Sequence, residues 1–306
     1  MGKIIMFHHS ADNDGKASGA IVKSMFPDCM LIPINYGDKF PWDEIDNDDI
    51  VYMSDFCLEP IERMVHLAKK CKQLIWIDHH ISSINEAHRV NFNPDGIREV
   101  GKSGCELTWE YIYPGKEMPT SIRIMGRYDV WDHTDARSFP FQYGSAIENM
   151  MSDNAEIWSK LIDDDQETID RIVNNGIVIY KYQMLQYAAY AKSHAFEGIF
   201  DGLRCIAVNL GKCSSLAFES VYDPERHDIM LSFAYSANKT TMSIYSDKPA
   251  VDVSQVALKF GGGGHAGAAG FELKELAPLL KPVDKEFLDG SEDKWNAKLR
   301  QRQLGT

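Results

Sequence analysis

The sequence predicts an α/β protein in which a parallel-sheet N-terminal domain is joined by a helix to a smaller, mixed α/β C-terminal domain. The length of 306 residues suggests two domains, at roughly 100–200 residues per domain. Apolar runs alternate with helical patterns over residues 1–80, and strand-like alternation returns after residue 202. We therefore expect domains at 1–195 and 196–275, followed by a charged tail at 276–306.

The N-terminal pattern is typical of a parallel sheet with covering helices. Buried strands are predicted at 3–9, 29–36, 50–54 and 73–77, with helices at 15–26 and 60–71. Strand and helix in succession require crossover connections, which place the strands parallel. In such sheets ligands bind beyond the carboxyl ends of the strands.

Residues 103–193 read as helical, and the residues after them as a second strand-rich region. Ser103 to Glu106 has the pattern of a helix cap, and the stretch 157–191 is long and helical. Its Asp163, Asp164 and Asp165 are interpreted as capping or solvating a helix start rather than as binding a cation. Strands are predicted at 203–210, 228–235 and 240–245, with a helix at 252–259 before four glycines.

Charge and cysteine usage exclude several functional classes. The balance of 32 Lys+Arg against 45 Asp+Glu gives −13, which argues against a protein that coats long duplex nucleic acid. No apolar run approaches the roughly 20 residues of a membrane span, so we expect a cytoplasmic protein without a membrane partner. The six cysteines form no C-x-x-C pair and are interpreted as reduced core thiols.

The strongest chemical pattern is a set of acidic and imidazole groups that follow predicted strands. His8, His9, Asp12 and Asp14 follow the first strand, Asp55 the third, and Asp78, His79 and His80 the fourth. Carboxylates and neutral imidazoles together suit Mn²⁺ or a similar divalent ion, and clustered carboxylates need a cation to offset their repulsion. Each motif alone also fits a turn, a helix cap or a structural histidine. Their shared position at three strand ends favours a hydrolytic metal site.

Two further segments are candidates for the same chemistry. A fourth acidic ligand is expected from the segment 125–133, where the pattern leaves Asp129 and Asp132 open. Four successive glycines at 261–264 lose much backbone entropy on folding, so we expect them to serve a purpose. The purpose we expect is close approach of main-chain N–H groups to an anion, with His265 as a donor beside them. A flexible linker is the alternative, but the small, apolar residues 266–271 suit tight packing.

Three motifs in combination resemble the DHH phosphoesterase family with its DHH-associated C-terminal domain. They are Asp78-His79-His80, the turn from Asp12 to Gly15, and the segment from Gly261 to Gly270. The resemblance spans roughly residues 1–272. It implies a DHH metal-binding catalytic domain, a substrate-binding second domain and an active site in the cleft between them. It also implies a site for two divalent metal ions, most often Mn²⁺, with Mg²⁺ or Co²⁺ as alternatives.

Roles for single residues follow from that resemblance. Asp12 would hold one metal ion, Asp14 would hold the other, and Asp55 would bridge them. His79 and Asp129 would complete the ligands. Asp129 is preferred over Asp132 because the family pattern is Asp-x-Trp. His9 is favoured as the histidine of the first motif, with His8 as the alternative. His80 would face the substrate phosphate and Asp78 would orient the imidazoles. The loop would hold the phosphate or 3′ end through the following residues: Gly261, Gly262, Gly263, Gly264 and His265.

One departure from the family pattern affects the expected substrate. Many members carry an arginine in the strand before the glycine loop, whereas this chain has Tyr245 there. Tyr245 could stack on a base or ribose, and the alternative is an ordinary strand aromatic. The expected activity is hydrolysis of short oligonucleotides or dinucleotides to 5′-mononucleotides, as in an oligoribonuclease, and a homodimer is left open.

The alternatives to this activity are also defined by the family's range. They are a hydrolase of a bisphosphonucleotide, cyclic dinucleotide or polyphosphate, and a single-strand exonuclease. A non-catalytic nucleotide-binding regulator is the alternative of another class, and it would be favoured if a metal ligand were missing. Every ligand type is present in the sequence.

Overall fold

The structure is a computed structural model that describes residues 2–132, 134–236, 239–274 and 280–282. The chain divides into two compact units, Met1–Tyr180 and Lys181–Thr306. This division lies inside a long helix, whereas the sequence suggests a domain boundary at residue 195. Apart from 280–282, the charged tail expected at 276–306 lies outside the described residues.

The first unit is built on a four-stranded parallel sheet. Its strands are β1 (Ile4–His9), β2 (Met30–Ile34), β3 (Ile50–Ser54) and β4 (Gln73–Ile77). Their order is β2-β1-β3-β4, and each neighbouring pair is parallel. The predicted parallel sheet is confirmed, so the residues that follow all four strands leave from one edge.

Helices cover this sheet and continue beyond it. They are α1 (Asn13–Met25), α2 (Glu62–Lys70), α3 (Ile81–Arg89), α4 (Gly104–Ile112), α5 (Thr120–Asp129), α6 (Ser138–Ser145), α7 (Ala155–Ile162) and α8 (Gln166–His194). Apolar side chains pack on both faces of the sheet because residues alternate along each strand. Met6 and Tyr52 belong to one core cluster, and Phe7 and Trp76 belong to the other.

The stretch 157–191 is largely helical, as expected, and the acidic triplet lies between two helices, α7 and α8. Asp164 has a left-handed φ of 58° and its carboxylate accepts hydrogen bonds from the Thr120 backbone N–H and hydroxyl. Asp165 caps α8 by accepting from the Thr168 N–H. The helix α8 has 29 residues. Within the described ranges, neither it nor any other helix combines the length and apolar character needed to cross a membrane.

The second unit contains a mixed sheet of seven strands. They are β5 (Phe196–Phe200), β6 (Leu203–Asn209), β7 (Ile229–Ser236), β8 (Lys239–Tyr245), β9 (Gly263–His265), β10 (Ala268–Leu273) and β11 (Leu280–Pro282). Their order is β11-β5-β6-β7-β8-β10-β9, with β6 and β7 parallel. The helix α9 (Val253–Leu258) packs its Val253, Val256 and Ala257 into the core on one face. The mixed α/β class expected for this part is confirmed.

Candidate metal centre

The predicted acidic and imidazole groups of the first unit converge at the carboxyl edge of its parallel sheet. Among the described residues, three groups of side chains have potential ligand atoms within 4.8 Å of one another. They are His9, Asp12 and Asp55; Asp55, His79 and His80; and Asp14, His79 and Asp129. Because Asp55 and His79 each occur in two of these groups, the three sets form one continuous cluster that could hold a divalent metal ion.

Asp55 lies at the centre of this cluster, directly after β3. Its φ of 56° is in the left-handed region, which is uncommon for a residue with a side chain and often marks a functional position. Its Oδ1 lies 3.2 Å from His79 Nε2 and its Oδ2 lies 3.6 Å from His9 Nδ1. Burial raises the pKa of Asp55, but the hydrogen bonds with His79 and His9 outweigh it and lower that pKa overall.

Asp129 reaches the cluster from the last residue of α5. Its Oδ2 lies 3.4 Å from His79 Nε2. Burial, followed by the negative charges of Asp14 and Asp55, raises the pKa of Asp129 well above its usual range. Asp132, the alternative in the sequence, instead pairs with Arg127 at 3.5 Å and accepts from the Thr134 N–H. The geometry therefore brings Asp129, and not Asp132, to the cluster.

The N-terminus of α4 fixes Asp14, and the sequence analysis did not anticipate this contact. The backbone N–H groups of Gly104 and Cys105 donate to the two carboxylate oxygens of Asp14, at 2.7 and 2.8 Å. A Cβ added at Gly104 would lie 2.6 Å from Asp55 Cβ, so glycine permits this close approach. The capping box of Ser103 and Glu106 marks the helix start in the sequence, but nothing local shows which side chain its amides bind.

The two histidines at the end of β1 point to opposite faces of the sheet. His8 is 2% exposed and lies under α1, where a Cβ on Gly19 would come within 2.6 Å of its ring. His9 lies on the other face, with Nδ1 2.9 Å from Asp12 Oδ2. Alternation along the strand separates the pair, and it is His9 that the structure places in the cluster.

A second residue missed by the sequence analysis, Asn35, holds the far side of the His9 ring. His9 Nε2 lies 3.1 Å from Asn35 Oδ1. Burial lowers the pKa of His9, but hydrogen bonds with Asp12 and Asp55 outweigh it and raise the pKa to about 10. With Nε2 donating to Asn35, Nδ1 is the nitrogen directed at the carboxylates. An asparagine near the end of the predicted strand 29–36 was the signal available in the sequence.

Asp78 organises the segment that follows β4. Its Oδ1 accepts hydrogen bonds from the backbone N–H groups of His79 and His80, at 2.8 and 3.1 Å, and lies 2.7 Å from His80 Nδ1. Asp78 is completely buried, and its Oδ2 has no hydrogen-bond partner among the residues that the structure describes. The predicted role of Asp78, to orient the imidazoles, stays a prediction, and these are the contacts through which it would act. His80, predicted to face the substrate, also enters one of the three ligand groups.

The glycine segment of the second unit is partly a strand, where the sequence suggested a loop. Gly263 to His265 forms β9, paired antiparallel with β10. A Cβ on Gly262 would lie 2.1 Å from Gly270 O, and one on Gly264 would lie 2.6 Å from Ala268 O, so both glycines permit packing against β10. Gly261 and Gly263 have open space at that position, and Gly263, Gly264 and His265 are exposed.

Tyr245 is a partly buried residue of β8 in the second unit. Its ring packs against the smaller core cluster that includes Ile206 and Phe218. Its hydroxyl donates to Cys213 O at 2.7 Å, and burial raises the pKa of Tyr245 to about 12. This placement favours the ordinary strand aromatic over a residue that stacks on a substrate base.

Comparison with known proteins adds structural relatives to this geometry. No protein-family model matches the sequence. The chain is 25% identical over 307 aligned positions to an uncharacterized protein of Acanthamoeba polyphaga mimivirus, covering 92% of this chain and 70% of that protein. A pGpG-specific phosphodiesterase, PggH from Vibrio cholerae, is similar over 96% of this chain and 99% of its own, with a TM-score of 0.50 and 16% identity.

The DHH domain of a protein assigned to a family of ribosomal proteins gives a TM-score of 0.55 at 13% identity. The match covers 99% of this chain and 87% of that chain. At these identities the likeness concerns the fold. The resemblance seen in the sequence motifs is therefore confirmed as a shared fold, with the predicted ligands at the carboxyl edge of its parallel sheet.

Proposed function

We propose that this chain, which has the fold of DHH-domain proteins, is a metal-dependent phosphoesterase that cleaves short oligonucleotides or dinucleotides to 5′-mononucleotides. The observation that carries the proposal is the convergence of carboxylates and imidazoles at the edge of the parallel sheet, with Asp14, Asp55 and His79 buried. Ligands bind at this edge in α/β folds. A nucleotide phosphodiester is the substrate class, and a divalent metal ion is the cofactor class.

The donor set fits divalent metal ions. Burial and then the charge of Asp55 raise the pKa of Asp14 to about 7, because two carboxylates lie close together out of water. A bound cation relieves this repulsion. Mixed carboxylate and imidazole donors suit Mn²⁺, with Mg²⁺ or Co²⁺ as alternatives. We assign His9 and Asp12 to one ion, Asp14, His79 and Asp129 to the other, and Asp55 to both.

Two such ions would supply an activated water and offset negative charge on the phosphate and the leaving oxygen. The chain's own contribution is orientation. Asp78 holds the His80 ring at 2.7 Å and fixes the main chain of His79 and His80 through the same oxygen. The His80 imidazole, fixed in this way, would donate a hydrogen bond to a non-bridging phosphate oxygen.

The second unit is proposed to bind the substrate. The exposed segment Gly263–His265 would contact a phosphate or 3′ end through its main chain and the His265 imidazole, whereas the Gly261 N–H already donates to Leu258 O at 3.1 Å. If this is its role, His265→Ala should lower kcat/KM for a dinucleotide about 10- to 100-fold while bound metal, measured by elemental analysis, is unchanged. Loss of metal from His265→Ala would contradict the assignment.

The charge of the chain and one structural relative both favour a small substrate. A formal charge of −13 leaves little basis for binding a long duplex, which requires many phosphate contacts. One protein of the same fold is a pGpG-specific phosphodiesterase, which supports a linear dinucleotide. pGpG carries a 5′-terminal phosphate, whereas Tyr245 stands where many DHH phosphoesterases carry an arginine, so we expect a linear dinucleotide that is not held by a terminal phosphate.

The decisive experiment is a substrate panel with Mn²⁺ and with the metal removed by chelation. The panel contains dinucleotides, RNA and single-stranded DNA of increasing length, a bisphosphonucleotide, cyclic dinucleotides and polyphosphate. We expect the highest kcat/KM for about two to five nucleotides, with a weak dependence on salt because few phosphates are contacted. Efficiency that rises steadily with length and falls steeply with salt would identify a single-strand exonuclease instead.

A further inference from the structure

Tyr36 is a large aromatic residue that remains half exposed beside the metal cluster. It lies two residues beyond the end of β2, on the same edge of the sheet as His9 and Asp55. Its ring centroid is 5.9 Å from that of His9, edge to face, and the residue is 48% exposed. An aromatic ring next to the ligands of a phosphoesterase site is in position to contact what is attached to the phosphate.

The ring of Tyr36 is supported from behind. Its centroid lies 4.6 Å from that of Phe56, which follows Asp55 and is only 3% exposed. The His9 and Phe56 rings are themselves 6.1 Å apart, so the three rings form one group. Buried Phe56 therefore covers one side of Tyr36 and leaves surface on the ring for another planar group.

The main chain around Tyr36 is held by a compact turn. Asn35 Oδ1, which contacts His9, also accepts from the Tyr36 N–H at 3.1 Å. Asp38 N–H donates to Asn35 O at 3.1 Å, and Asp38 Oδ2 accepts from Asn35 N–H at 2.8 Å. Gly37, with a φ of 92°, permits the reversal. The ring is therefore placed in advance, which reduces the entropy lost on stacking.

We propose that Tyr36 stacks on a nucleobase of the substrate and thereby selects nucleotides over phosphoesters without a base. The inference rests on the proposed function, and it assigns to Tyr36 the stacking that the sequence suggested for Tyr245. Tyr245 is partly buried in the second unit, where its hydroxyl donates to Cys213 O and its ring packs against a core cluster. Stacking of a base on an aromatic side chain is worth about 5- to 150-fold in binding.

The test compares Tyr36→Ala with Tyr36→Phe, which keeps the ring, and with Tyr182→Ala as a matched control. Tyr182 is a tyrosine on α8 that is 63% exposed and outside the cluster. The substrates are a linear dinucleotide and two analogues in which one or the other base is absent. We expect Tyr36→Ala to raise KM about tenfold for the dinucleotide with little change in kcat. Tyr36→Phe and Tyr182→Ala should resemble the unaltered protein.

The effect should disappear for one base-free analogue, because there Tyr36 has nothing to stack on. Mn²⁺ content is measured in parallel, since a purely structural role beside His9 would reduce it. Equal losses on all three substrates, or equal losses in Tyr36→Phe and Tyr36→Ala, would overturn the inference.

A binding experiment separates this inference from the proposed function. Adenosine 5′-monophosphate is titrated into the Mn²⁺-loaded protein and its variants by calorimetry. If Tyr36→Ala weakens nucleotide binding but the protein hydrolyses no phosphodiester, the proposed activity is refuted and the stacking role of Tyr36 stands. If the protein hydrolyses a phosphodiester but Tyr36→Ala binds the nucleotide as tightly as the unaltered protein, only the stacking role is refuted. A protein that binds no nucleotide would refute both.

Discussion

Two buried aspartates, one in each unit, have opposite electrostatic surroundings. Asp14 in the first unit receives hydrogen bonds from two backbone N–H groups and lies near Asp55. Asp228 in the second unit, 6% exposed, is paired with the Arg204 guanidinium through both oxygens and with Lys248 at 3.0 Å. Asp14 thus has a carboxylate for a neighbour, and Asp228 has two permanent cations.

The consequence appears in their pKa values. Burial and the charge of Asp55 raise the pKa of Asp14 to about 7. Burial also raises the pKa of Asp228, but hydrogen bonds from Arg204 and Lys248 outweigh it and lower that pKa overall. In the first unit the negative charge of the carboxylates is offset only in part, by imidazoles that titrate, so the cluster is suited to bind a cation. In the second unit Asp228 is fully paired with cations and stabilises the fold.

The largest effect should come from Asp55→Asn. An amide in place of the shared carboxylate weakens the hold on both proposed metals, so we expect kcat/KM to fall at least about 1,000-fold and bound Mn²⁺ to be lost. The circular dichroism spectrum should be unchanged. Asp228→Asn is the matched control and should retain its metal. Near-normal turnover by Asp55→Asn would remove Asp55 from the site.

Asp228→Asn should reduce stability and leave metal binding intact. Loss of the charge leaves Arg204 and Lys248 without their partner, at a cost of roughly 2–4 kcal/mol in the free energy of unfolding at pH 7. Because the folded-state pKa of Asp228 is lowered, its contribution is present above the unfolded pKa and is lost as pH falls through the folded pKa. Urea unfolding at pH 7 and at pH 3 measures this. A difference between the proteins that does not shrink in acid would contradict the pairing.

Asn35→Ala should weaken metal binding without removing any ligand. The Asn35 side chain holds His9 Nε2 and thereby directs Nδ1 towards Asp12 and Asp55. Partners of this kind are worth about 10- to 100-fold in metal affinity. Titration of the metal-free protein with Mn²⁺ provides the measurement. If Asn35→Ala binds Mn²⁺ as tightly as the unaltered protein, the contact has no role in orienting His9.

Adding metal to the unaltered protein should also raise its Tm. Binding to the folded state alone stabilises by about 2.7 kcal/mol at 100 times Kd, which corresponds to an increase of roughly 5–10 °C in Tm. Chelation should reverse the increase, and Asp228→Asn should show it as well. An absent shift in the unaltered protein under saturating Mn²⁺ would contradict the metal site.

Local patterns in the sequence were sufficient for the strands of the first unit and for one helix start. The runs Ile50–Ser54 and Gln73–Ile77 are strands with the predicted bounds, since a short apolar stretch between polar residues is buried wherever the sheet forms. The capping box at Ser103 is also a local signal. The cap of α8 by Asp165 is local as well, but the left-handed turn at Asp164 was not predictable in this way, because Asp164 is held by Thr120, which lies 44 residues away in the chain.

The sequence by itself determined the fold class, the parallel direction of the strands in the first sheet and the kinds of side chain at the edge of that sheet. Those features depend on apolar periodicity and on residue type, which are properties of short segments. Only the tertiary structure decided that His9 enters the cluster while His8 lies under α1, that Asp129 reaches His79, and that Tyr36 stands beside the site. Each of these depends on which face of a strand or which end of a helix meets residues distant in the chain, and such pairings are set by packing of the whole unit.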